Sequence, residues 1–96
     1  MSSFTVRVEL HDAEDLYDDL HEAMSEEGFF RTIKIDEVRY QLPTAEYSLP
    51  NSDLSAQEVL EKAERAANSV KSKPQPSILV TKTEIRRYHS GLQIVK

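Results

Sequence analysis

The sequence predicts a single α+β domain, in which one antiparallel sheet carries two helices on the same face and the elements run in the order βαββαβ. Three observations lead there. Phe4, Val6, Val8 and Leu10 alternate strictly with Thr5, Arg7 and Glu9, the pattern of a strand buried on one side and free on the other. Residues 13–27 and 54–70 repeat apolar side chains at three-and-four spacing, the pattern of amphipathic helices. Runs rich in β-branched and aromatic residues at 29–35, 38–42 and 77–83 supply the remaining strands.

The first strand stops at His11-Asp12, where the alternation breaks. Ala13, Leu16, Tyr17, Leu20, Ala23 and Met24 then make one stripe, while Glu14, Asp15, Asp18, Asp19, Glu22 and Glu26 point away and His21 lies on the flank. Asp12 is expected to cap the first turn, and Gly28 to end the helix in the left-handed conformation. Phe29 to Ile35 and Val38 to Leu42, separated by Asp36-Glu37, read as a hairpin in which Tyr40 shares the apolar side of Val38 and Leu42. Pro43 predicts a bulge or an edge, because it has no N–H to give a ladder; Ala45 to Ser48 is a candidate resumption of the strand, and 49–53 reads as a loop.

Ser55-Ala-Gln-Glu58 is a capping box, with Leu54 and Val59 placed to form a hydrophobic staple around it. Leu60, Ala63, Ala67 and Val70 continue that stripe, Lys71 and Lys73 fall near the negative end of the helix dipole, and Pro74-Gln-Pro76 stops the helix. The uninterrupted Ile78-Leu79-Val80 predicts a well-buried last strand. Ile85, Leu92, Ile94 and Val95 suit an extra C-terminal strand turned at Ser90-Gly91, or else an extended arm.

This order is the split βαβ arrangement of ferredoxin-like folds. Right-handed crossovers put both helices on one face. The other face is then bare, with Arg7, Arg39 and Lys82 expected on it or at its edges.

Ninety-six residues suffice for one domain, 1–96, with a modest core. With no cysteine, disulfides and thiolate chemistry are excluded, as expected of a reducing compartment. No apolar run approaches a membrane span and the first residues lack the features of a signal peptide, so the expected location is cytoplasmic, with no membrane partner. The net charge of -5 argues against a general polyanion binder. It hides an asymmetry: residues 1–27 hold one basic and nine acidic side chains, residues 71–96 six basic and one acidic. A locally positive surface remains compatible with the total.

The first place to look for chemistry is His11 with Glu9 and Asp12, since an imidazole between carboxylates at the end of a strand suits proton transfer. The bland account makes Asp12 a cap and His11 a solvated loop residue. Arg7, Arg31 and Arg39, with Lys34 and Lys82, form a candidate phosphate track, although single cations on exposed strand faces are ordinary. Arg86-Arg87-Tyr88-His89 is a basic-aromatic cluster able to hold a phosphate and stack on a base, or simply a surface tail. No HExxH or EF-hand spacing occurs, and with only Gly28 and Gly91 there is no glycine-rich cradle, so neither a metal nor a small-molecule cofactor is expected.

Taken together, the pieces Phe4 to His11, Leu20 to Met24, Gly28 to Ile33, Leu42-Pro-Thr-Ala-Glu-Tyr47 and Ser77 to Thr81 resemble the GhoS-like family of type V toxin–antitoxin antitoxins. The resemblance implies a ferredoxin-like protein similar in shape to the small CRISPR-associated endoribonucleases. It further implies an RNA-directed antitoxin that cleaves a toxin messenger RNA. In that reading Arg7, Arg31, Arg39, Arg86 and Arg87 hold RNA while His11, Glu9 and Asp12 assist proton transfer from a 2′-hydroxyl; the site residues come from the residue analysis, not from the family. The alternative is a non-catalytic module that pairs with itself or another protein through the bare face or an edge strand. A third reading docks the acidic first helix on a basic partner.

Overall fold

In a computed structural model, β1 (Ser2–Glu9) is the middle strand of a three-stranded antiparallel sheet, between β4 (Glu46–Ser52) and β5 (Ser77–Thr83). The structure describes residues 2–83 and 90–95, with all their side chains except Glu14 and Asn51. The alternation read from the sequence decides which side is buried. Val6 stands between Tyr47 of β4 and Val80 of β5, and Phe4, Val6 and Val8 are fully buried. Each such side chain contributes roughly 1.5–3 kcal/mol on burial.

The helices complete that side. A 3-10 turn (Glu14–Leu16) leads into α1 (Tyr17–Glu26), and α2 spans Ala56–Val70. Leu20 and Met24 of α1, with Val59, Ala63, Ala66 and Ala67 of α2, share one core with Phe4, Val6 and Val8. At α2 the capping box forms in full: Ser55 Oγ accepts the Glu58 N–H at 3.1 Å, and the Glu58 carboxylate accepts the Ser55 N–H at 2.9 Å. Leu54 packs on the cluster to which Val59 belongs, as expected of the two staple positions. Glu27, just past α1, pairs with Arg65 at 3.3 Å and Lys62 at 3.5 Å on α2, and Arg65 above all holds its carboxyl below the ordinary range.

Asp12 does not cap α1. Neither Ala13 nor Leu16, the residues that open the 3-10 turn and the helix, makes a side-chain cap bond. Asp12 instead takes a φ of 55°, a sharp turn incompatible with the extended backbone of a capping residue, and its carbonyl accepts a hydrogen bond from Lys71 Nζ at 3.0 Å. Gly28 behaves as expected, with φ 93°.

The hairpin of β2 (Thr32–Ile35) and β3 (Val38–Gln41) forms a second, two-stranded sheet, so the strands do not make the single sheet expected from the sequence: the bend at Arg31 and the excursion at Pro43 interrupt the ladder beside β4. Asp36 and Glu37 both have positive φ, the two-residue loop whose twist matches paired strands. Upstream the chain bends at Arg31, and Phe30 and Ser48 exchange two backbone hydrogen bonds of 2.8 Å, fastening the hairpin to the outer edge of β4. Pro43 lies in the excursion between β3 and β4, so the strand resumes beyond it. It resumes for longer than expected: β4 runs through Pro50 to Ser52, where a loop was predicted. Pro50 falls within the register shift between Phe4–Leu49 and Ser2–Ser52, where a missing N–H breaks no regular pair.

The result is an α+β fold of two helices and antiparallel strands, in the order β1, α1, β2, β3, β4, α2, β5, one strand more than predicted. β5 is not the buried strand that Ile78-Leu79-Val80 suggested. Only one face of the sheet is covered, so Leu79, opposite Arg7 on the bare face, is 65% exposed. At the C-terminus, Gln41 N–H donates to Gln93 O at 2.8 Å and Val95 N–H to Arg39 O at 2.9 Å. The expected extra strand is thus a short segment bridged to β3 at Tyr40–Ile94, and Ile85 lies outside the described residues. Leu92 packs with Tyr40 on a second, small cluster of Ile33, Ile35 and Leu42. No helix among the described residues is long and apolar enough to cross a membrane.

Candidate functional site

At the end of β1 the three residues singled out for catalysis are near one another in the chain but bonded apart. Glu9 Oε1 accepts two hydrogen bonds from Arg7, at 2.7 and 3.1 Å, and is occupied by them. His11 is half-buried, with Nε2 2.8 Å from Ser77 Oγ on β5. Asp12 is exposed beyond the turn. Among the described residues no group of three His, Asp or Glu side chains converges in a way that could hold a metal ion.

The candidate phosphate track divides in the same manner. Arg7 projects from the bare face, but Glu9 and Glu46 close on it from both sides, Glu46 at 3.3 Å, and the Glu9 hydrogen bond in particular raises the guanidinium pKa. Arg39 is exposed and donates to Thr32 Oγ1 at 2.9 Å; Lys34, its cross-strand neighbour, pairs with Glu37 at 3.3 Å. Lys82 is exposed on the edge strand β5, one of the two places expected for it, and stands opposite Phe4, hence on the helix-bearing side. Arg86, Arg87, Tyr88 and His89 lie outside the described residues. Around Arg7 the bare face carries Leu79, Thr5 and Thr81; Ser48 shares that side but is buried, its Oγ donating to Thr32 O at 2.7 Å, with Phe30, 51% exposed, opposite it.

Arg31 goes elsewhere. It turns to the helix side, where its Nη1 donates to the carbonyls of Pro43 at 2.7 Å and Glu46 at 2.8 Å while the guanidinium lies 5.5 Å from the centroid of the Tyr47 ring. Tyr47 is fully buried, and its Oη is 2.6 Å from His21 Nδ1. The Tyr17 ring centroid lies 6.4 Å from that of His21, and the Tyr17 hydroxyl accepts the Leu10 N–H at 3.1 Å. Burial pushes the Tyr47 phenol well above its ordinary pKa, which keeps it protonated. The phenol is therefore the donor and Nδ1 the acceptor, and the proton of neutral His21 is on Nε2. Burial first, and then the charge of Arg31, hold the His21 pKa below 6.5 against a smaller opposing pull from Asp18. Burial likewise lowers that of Arg31.

Tyr17, His21, Arg31 and Tyr47 thus form one connected polar group on the helix side, and of its members the sequence pointed only to Arg31 as a site residue. His21 read as a flank residue and Tyr40, not Tyr47, as the core tyrosine; Tyr40 is half-buried in the small cluster instead. The available signal was parity: Tyr47 is two residues from Leu49, which shares its buried side. Comparison with family models, with curated proteins and with solved structures finds no match to this chain.

Proposed function

We propose that the chain is a non-catalytic binding module of ferredoxin-like build that pairs with a second copy of itself through the bare face of its sheet. The ferredoxin-like reading takes β3 and β4 as one long strand interrupted at Pro43, which restores the order βαββαβ; the Phe30–Ser48 bridge, setting β2 beside β4, supports it. The pairing rests on one observation, the charge balance of that face. Arg7 is set between Glu9 and Glu46, with Lys34 paired to Glu37 and Arg39 exposed on the adjoining hairpin, on a molecule of net charge -5. Elsewhere, and above all along α1, two acidic copies repel; here cation can meet carboxylate across a two-fold axis. Exposed Leu79 and Phe30 supply apolar area at either side of the charged centre.

Sedimentation velocity across a concentration series tests this. A reversible dimer is expected, and Leu79→Lys with Phe30→Lys should convert it to a folded monomer. A wild-type chain that stays monomeric at every concentration removes the reading.

The RNA-directed antitoxin reading keeps one favourable observation, the half-buried His11 imidazole fixed by Ser77 at the end of β1. It predicts cleavage of single-stranded transcripts that is abolished in His11→Ala. Intact RNA with wild-type protein, or cleavage that survives the substitution, eliminates His11 as the proton-transfer group.

A further inference from the structure

We propose that Arg31 and His21 together bind a phosphate-type oxyanion beside the Tyr47 phenol. Among the described residues, Arg31 is a half-buried cation held by neutral groups, the carbonyls of Pro43 and Glu46 and the ring of Tyr47. The carboxylate of Glu46 is turned to Arg7. Among the described residues no Asp or Glu forms an ion pair with Arg31, in contrast to Arg7, Lys34, Lys62 and Arg65. A guanidinium has five N–H donors. Nη1 uses its pair on the two carbonyls, and the donors on Nε and Nη2 meet no protein acceptor among the described residues. That edge is the planar fork that grips two oxygens of a phosphate at once.

His21 adds the second donor. With Nδ1 committed to Tyr47, its N–H is on Nε2, and both groups touch the same ring: the His21 centroid is 5.6 Å and the Arg31 guanidinium carbon 5.5 Å from the Tyr47 centroid. Among the described residues, the charged and titratable groups facing His21 are Arg31, Tyr47 and, on its own helix, Tyr17 and Asp18, and the Asp18 carboxylate is outweighed. Two cation-forming side chains with no ion-paired carboxylate among the described residues are costly to hold together in a half-buried place. An oxyanion removes that cost and satisfies the open donors. The inference stands apart from self-association, because Tyr47 shares the side of Val6, opposite the bare face. The shared ligand chemistry is a phosphate group, either free or within an RNA backbone.

NMR of the His21 ring in the wild-type chain decides the matter, with sodium phosphate, sodium chloride of matched ionic strength, and a short single-stranded oligouridylate as titrants. Phosphate should move the His21 resonances saturably and raise its titration midpoint, while chloride should not. Arg31→Lys, which keeps the charge but loses the fork, should bind more weakly; Arg31→Met should bind about tenfold more weakly or worse. Should Arg31→Met fail to fold, phosphate titration of the Arg31 Nε resonance in His21→Asn replaces it, with weakened binding expected. Oligouridylate binding no tighter than phosphate identifies a free-anion site, and tighter binding with a steep salt dependence identifies a backbone contact; both uphold the site. His21 responding alike to phosphate and chloride, or phosphate binding unchanged in the Arg31 variants, overturns it.

Discussion

Tyr47 is where the apolar core and the polar network meet: its ring fills the space against Val6 while its hydroxyl reaches His21. Tyr47→Phe keeps the ring and deletes the donor, leaving a half-buried Nδ1 without its partner. Urea denaturation should show a loss of about 1–2 kcal/mol, the usual cost of stranding a partly buried acceptor. The same bond gives stability a direction with pH. Because the folded-state pKa of His21 lies below 6.5, the unfolded chain takes up this proton first as pH falls. The stability that comes from neutral His21 is therefore complete above that ordinary value and is lost as pH drops through it towards the depressed one. His21→Asn should flatten the slope of stability between about pH 7 and 5.5; an unchanged slope would place its origin in other groups. None of this was visible in the sequence, since the partners are 26 residues apart and join two elements that carry no shared motif.

Elements differ in how locally they are specified, and that governs what could be read in advance. The capping box of α2 needs only four consecutive residues and formed as written, so Ser55→Ala should cost about 1 kcal/mol and leave Glu58 without its reciprocal bond. Thermal unfolding would measure it; no change in midpoint would mean that Leu54 and Val59 fix the helix start alone. Asp12 offered a similar local signal at α1, but the chain must turn out of β1 within three residues, and that demand set its backbone first. The alternation of β1 was legible because both faces of a central strand report on their surroundings. Ile78-Leu79-Val80 misled for the opposite reason: an apolar run cannot say whether one face of the sheet has been left bare, and Leu79 was counted as core. Pro50 looked like loop because its tolerance within β4 depends on a register shift set by β1.

Across the whole molecule the two apolar clusters are unequal, and this should divide the chain into regions of different stability. The large cluster draws on β1, β4 and both helices, including residues with no solvent exposure, and lies beneath a sheet paired on both sides of β1. Among the described residues the small cluster has Ile33, Ile35 and Leu42, backed by Tyr40 and Leu92, and its hairpin holds to β4 through the Phe30–Ser48 pair and the bond from Ser48 Oγ to Thr32 O. Few apolar contacts and exposed backbone bonds mark a region that opens ahead of global unfolding. Native-state hydrogen exchange should therefore find the amides of Ile33 and Ile35 exchanging through a lower-energy opening than those of Val6 and Val8. Leu92→Asp should widen the gap, because it removes apolar cover from the hairpin while leaving the large cluster intact. It should also release the Gln41 and Val95 amides, whose acceptors are the carbonyls of Gln93 and Arg39. Equal protection in both regions, before and after the substitution, would mean that the hairpin and the main sheet unfold together and that the C-terminal segment contributes nothing to holding β3.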